Sequence, residues 1–114
     1  MEIDCYRYTQ IHRSAEKLRG KTDIPRELAD KWASLQPLQV VCTVELLRTG
    51  QVTWYLEHAP TQFTLAILVT DNTQDPAKHA DHMRSLFAQI DAAQAETMIA
   101  AHVLQEQNGD AEPI

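Results

Sequence analysis

The sequence predicts an α+β fold in the order α-α-β-β-β-α: a three-stranded antiparallel meander packed against a long C-terminal helix. Three observations predict it. Apolar residues recur at three- and four-residue spacing before residue 36, strand-forming residues alternate between residues 38 and 70, and no helix breaker interrupts the stretch after Pro76 until Asn108-Gly109.

The first helix is expected from Cys5, Tyr8, Ile11, His12, Ala15 and Leu18, with Asp4 as its N-cap and Gly20 as a left-handed stop. A second, shorter helix is expected over 23–35. Pro25 falls in its first turn, Leu28, Trp32 and Leu35 form its buried stripe, and Pro37 ends it.

Strands follow at 38–47, 52–57 and 63–70. For Leu46 and Trp54 to share a face, the connection between the first two must hold an odd number of residues, three being the expected count. One face then carries Val40, Cys42, Val44, Leu46, Val52, Trp54, Leu56, Phe63, Leu65, Ile67 and Val69, and is the predicted core. The other carries Thr43, Glu45, Tyr55 and Glu57 among others, too apolar for a fully wet surface and too polar for a second core.

The last helix starts with Asp75 as cap and Pro76 at its first position and runs to about Gln107. At 1.5 Å per residue it would be roughly 45 Å long against about 33 Å for a ten-residue strand, so it must overhang, kink or dock elsewhere. Met83, Leu86, Phe87 and Ile90 form a clean apolar stripe in its first half. Thr97, Met98, Ala101 and Leu104 continue it, while Ile99 and Val103 point almost the opposite way and call for a second neighbour. Residues 1–109 are expected to form one domain, and 110–114 a loose tail.

The chain has 114 residues and a net charge of −6, which opposes non-specific nucleic-acid binding. Residues 1–31 hold seven of its ten Lys and Arg. Cys5 and Cys42 stand alone, as buried thiols do, and argue against a disulfide framework or a cysteine zinc site. There is no apolar run long enough to cross a bilayer, and the start lacks the pattern of a signal peptide, so a cytoplasmic location is expected. Glycines at 20, 50 and 109 each have a turn or stop to make, leaving none for a phosphate-binding loop. His79 and His82 sit at i and i+3, but no carboxylate pair or H-E-x-x-H pattern completes a metal site. Neither a metal nor another cofactor is expected.

What remains is an acidic chain without a catalytic signature and with surplus apolar surface. It is expected to be a non-catalytic protein-binding protein, an inhibitor or immunity-type protein that blocks an enzyme, one that handles nucleic acid being a natural target. Ile99 and Val103, with Asp81, Asp91 and Glu96, are the candidate partner-binding residues, and a homodimer through the last helix or a dimeric secretion-type chaperone is the variant. Two other classes compete. A small enzyme or ligand-binding domain would use Glu45, Tyr55, Glu57 and His58 on the outward sheet face. A nucleic-acid accessory protein would use Arg7, Arg13, Lys17 and Lys21, which cluster on one side of the first predicted helix.

Overall fold

The computed structural model describes the backbone of residues 1–11 and 14–111 and the side chains of residues 1–9 and 16–107. Its elements are β1 (Glu2–Ile11), β2 (Ser14–Asp23), α1 (Ala29–Leu35), β3 (Val40–Leu46), β4 (Val52–His58), β5 (Phe63–Thr70), α2 (Pro76–Phe87) and α3 (Ala92–Ala111). The five strands form one mixed sheet in the order β2-β1-β3-β4-β5, antiparallel except where β1 pairs with β3 in parallel. The helices pack on one face of it, giving two layers.

The order α-α-β-β-β-α is therefore overturned at its first element: the segment expected to be a helix is a hairpin of two ten-residue strands. Its residues fit two periods at once. The spacing of Cys5, Tyr8 and Ile11 suits a helix turn, but Ile3 and Cys5 also alternate with Glu2, Asp4, Tyr6 and Tyr8, and so do Lys17, Arg19 and Lys21 with their neighbours. The pairing of Cys5 with Cys42 across β1 and β3 decides between them, because it buries Ile3 and Cys5 in the common core. Gly20 is then not a helix stop; it lies opposite Cys5 within β2. His12, also assigned to that helix, lies outside the described residues.

Downstream the expectations fare better. α1 is shorter than predicted, flanked by 3-10 turns at Arg26–Leu28 and Gln36–Leu38, the second containing Pro37. Leu35 is fully buried and Leu28 and Trp32 pack beside it, Trp32 standing edge-on to Phe87 with ring centroids 5.9 Å apart. The three predicted strands are present as β3, β4 and β5 and pair antiparallel in sequence order. The expected three-stranded antiparallel meander is nonetheless overturned, because β1 pairs in parallel with β3 and makes them part of a five-stranded mixed sheet. Leu46 pairs with Val52, and the Leu47 amide donates to the Gln51 carbonyl at 2.9 Å, which leaves the three residues Arg48, Thr49 and Gly50 in the turn. Gly50 there has φ +88°, a conformation that favours glycine.

The predicted core face fails in the second half of β5. The register between β4 and β5 shifts at Leu56/Glu57, so that Leu56 opposes Ala66 while Glu57 opposes Thr64. Such a bulge inverts the alternation beyond it. Leu65 and Ala66 are both buried, and Ile67 and Val69 turn outward, 48% and 51% exposed. Leu46, near the strand end, is 37% exposed instead of core.

The long last helix is two. Asp75 caps α2, its carboxylate accepting the Ala77 amide at 3.0 Å, with Pro76 at the first position. α2 ends at Phe87 and a second cap starts α3: the Asp91 carboxylate accepts the Gln94 amide at 2.8 Å while the Gln94 side chain accepts the Asp91 amide at 3.0 Å. The break resolves the length mismatch, since α2 alone is about 18 Å long. It also resets the helical phase. α3 turns Ala92, Ala95, Met98, Ile99, His102 and Val103 toward the rest of the chain, so that of the expected stripe Met98 packs inward whereas Thr97, Ala101 and Leu104 are exposed. The expected stop at Asn108-Gly109 is overrun, the helix continuing to Ala111. Residues 112–114 of the expected tail lie outside the described residues.

Candidate binding surface

The face of the sheet away from the helices is built by alternation. In β1, Ile3 and Cys5 point to the core, so Asp4, Tyr6 and Tyr8 point away from it. The strand registers then place side chains in rows across the whole sheet. One row runs Arg19, Tyr6, Thr43, Tyr55, Ile67; the next runs Lys17, Tyr8, Glu45, Thr53, Val69. Each row goes from a cation through aromatic and polar groups to an aliphatic side chain. Four strand spacings make the face about 19 Å across.

Local contacts organise it. The Lys17 ammonium lies 4.4 Å from the Tyr6 ring centroid and 5.7 Å from that of Tyr8. Asp4 accepts from Arg19 at 2.9 Å and pairs with Lys21 at 2.8 Å, and these two bonds, Lys21 first, hold its carboxyl below the usual range. Burial and the neighbouring Glu45 carboxylate push the Tyr55 hydroxyl up, so it stays a neutral hydrogen-bonding group. Thr43 and Thr53 are buried under these larger side chains although no helix covers them. The Thr43 hydroxyl and one Glu57 carboxylate oxygen are buried without a partner among the described residues.

The structure brings two of the sequence-derived groups onto this face and divides each. Glu45, Tyr55 and Glu57 share it, but His58 alternates to the core side, 8% exposed, with Nδ1 2.7 Å from the Thr61 hydroxyl. Lys17 and Lys21 share it, Arg7 lies on the helix side, and Arg13 lies outside the described residues. Tyr6, Tyr8 and Arg19 were missed because the helical assignment scattered them; the period-two pattern of residues 2–8 and 17–21 was the signal that finds them.

The partner-binding residues expected on the last helix are dispersed. Ile99 and Val103 are half-buried against their own chain, Ile99 on the core. Asp81 pairs with Arg84 at 2.9 Å, and Arg84 also bonds Glu27. Asp91 is spent as the α3 cap, and Glu96 is exposed. Of the two histidines, His79 uses Nε2 to meet the Asp23 carbonyl at 2.7 Å and stands edge-on to Trp54, while His82 approaches Asp71 at 3.6 Å. Among the described residues no group of three His, Cys, Asp or Glu is placed to hold a metal ion, and no helix is long and apolar enough to cross a membrane.

Concavities occur on the helix side. A cleft of about 630 Å³ runs between residues 23–27 and α2. A smaller bowl of about 280 Å³ is lined by Cys5, Arg7, Gly20, Val44, Trp54 and His79 among others. Cys5 and Cys42 face each other inside the core with sulfurs 3.9 Å apart; that contact and burial keep the Cys42 thiol protonated far above its ordinary range. Neither concavity reaches Glu45, Tyr55 or Glu57. No family model, curated protein or solved structure matches this chain.

Proposed function

We propose that this chain is a binding module for another protein and that it engages its partner through the uncovered face of the sheet. One observation carries the reading: five strands present tyrosines, a cation row and exposed aliphatic residues with no layer over them among the described residues. Tyrosine-rich, partly apolar faces flanked by charge are the composition that protein interfaces favour. An inhibitor or immunity-type protein that covers an enzyme is the form this takes most simply, since the two concavities described above do not reach the tyrosines and carboxylates of this face.

The cation row at β2 and the carboxylates Glu45 and Glu57 nearer the centre make the face electrostatically graded, which orients a partner more than it strengthens binding. A homodimer through α3 has less support, because Ile99 is already used in the chain's own core.

The test compares stoichiometric capture from host lysate by three proteins: the unmodified chain, the paired variant Ile67→Asp with Val69→Asp, and Leu104→Asp on the exposed side of α3. The expected outcome is one partner retained by the first and third and lost by the second, with unchanged circular dichroism. A partner that stays with the paired variant, or none at all, overturns the proposal.

A further inference from the structure

The two edges of the sheet differ. At β5, the Gln89 side chain donates to the Ile67 carbonyl at 2.7 Å and accepts from the Ile67 amide at 3.4 Å, mimicking the strand that would otherwise pair there. At the opposite edge, β2 pairs with β1 on one side and with no strand on the other among the described residues. Its backbone groups on that side form a template of up to ten residues.

The side chains flanking this template are sorted. Lys17, Arg19 and Lys21 alternate on the open-face side, and the only carboxylate bonded to them among the described residues is Asp4. Leu18, Gly20 and Thr22 alternate on the helix side. Leu18 is 46% exposed there, and a Cβ added to Gly20 would meet nothing within 4 Å. Gly20 thus leaves a gap at the rim of the bowl floored by Cys5, Val44 and Trp54.

We infer that the β2 edge docks an extended acidic segment of a partner protein, which adds to the sheet as a further strand. Asp or Glu at every second position lies beside Lys17, Arg19 and Lys21. Apolar side chains between them lie beside Leu18, and one fills the gap at Gly20. A strand directly opposite another shares its faces, so the pattern required is acidic-apolar alternation in register with β2.

A second copy of this chain does not fit the edge. Residues opposite each other in an antiparallel pair lie on the same face, so every two-fold register centred between Lys17 and Lys21 sets two of these cations opposite each other. The inference goes beyond the face proposed above, since it concerns the edge and makes its own demands on the partner.

The test uses a synthetic peptide of about nine residues alternating glutamate and valine, and its lysine-valine counterpart. Binding is followed by fluorescence anisotropy at low and high salt and by amide hydrogen exchange. The expected result is binding of the glutamate peptide alone, weakened by salt, with alternate amides of residues 16–22 slowed. Lys17→Glu with Arg19→Glu should weaken it about tenfold. Equal binding of the lysine peptide, protection elsewhere but not in β2, unchanged affinity in the charge-reversed pair, or self-association of the unmodified chain through β2 each overturns the inference. Binding lost in Ile67→Asp with Val69→Asp overturns it too, by moving the peptide to the open face; binding kept there stands even if the lysate experiment finds no partner.

Discussion

The helix-covered half of the sheet and the β1–β2 hairpin are held together by different forces. Over β3 to β5, Met83, Leu86 and Phe87 of α2 are fully buried on Leu56 and its neighbours, and the alternation of each strand is dictated by what packs on it. Among its described side chains the hairpin contributes only Ile3 and Cys5 to that core; backbone pairing, tyrosine and cation contacts and the anchoring of its base hold the other described residues. There the terminal ammonium bonds Asp23 at 2.7 Å, Ile24 is buried, and His79 meets the Asp23 carbonyl. One half is stabilised by exclusion of water, the other by directional bonds in contact with it. Such a division leaves side chains of the second half in contact with water.

Substitutions can break or sharpen this contrast. Phe87→Ala should have the largest effect, about 3–5 kcal/mol of lost stability in urea denaturation, because it opens a cavity beside Trp32. A cost near that of an exposed residue would show that the helix layer is not the main source of stability. Asp91→Ala, which removes the cap that starts α3, should cost about 1 kcal/mol and lower helicity measured by circular dichroism. Leu18→Ser in the hairpin should change stability by less than about 0.5 kcal/mol. A larger loss would mean that the hairpin has a hidden apolar role.

Acid should act on the hairpin. Asp4 and Asp23 both have carboxyls held below their ordinary value of 3.8, Asp4 by Lys21 and Arg19 and Asp23 by the terminal ammonium. A depressed folded-state value means that their contribution is present above 3.8 and disappears as pH falls through the lower folded value. Carboxyl carbon shifts followed by NMR should show both titrating below pH 3.8, and Asp4→Asn should remove the corresponding step. The smallest change is expected at Cys42: native protein at pH 8 should leave it unalkylated, and unfolding in urea should expose it. Rapid native alkylation would show that the sheet opens at β1 and β3.

The same division explains what the sequence revealed. The strands β3, β4 and β5, the turn parity at Arg48-Thr49-Gly50 and the cap at Asp75 were legible because burial imposes one period on each segment. The hairpin was not, because its period-two pattern at residues 2–8 and 17–21 competed with a helical spacing that Cys5, Tyr8 and Ile11 satisfied by coincidence. Two further misses are local. The bulge at Leu56/Glu57 has no glycine to announce it, and it moved Ile67 and Val69 from core to surface. The break before Ala92 lacks proline or glycine and is made by Asp91 and Gln94 capping each other, so the phase of Ile99 and Val103 could not be continued from Met83. The open face was half visible, in Glu45, Tyr55 and Glu57; its other half needed the parallel pairing of β1 with β3, a contact between distant segments.

Gln89 gives the sheet a direction of growth. Its amide occupies the backbone groups of Ile67 in the middle of β5, while β2 meets no strand on its outer side among the described residues. A strand that approached the sheet would therefore meet a competing amide at one edge and open backbone groups at the other.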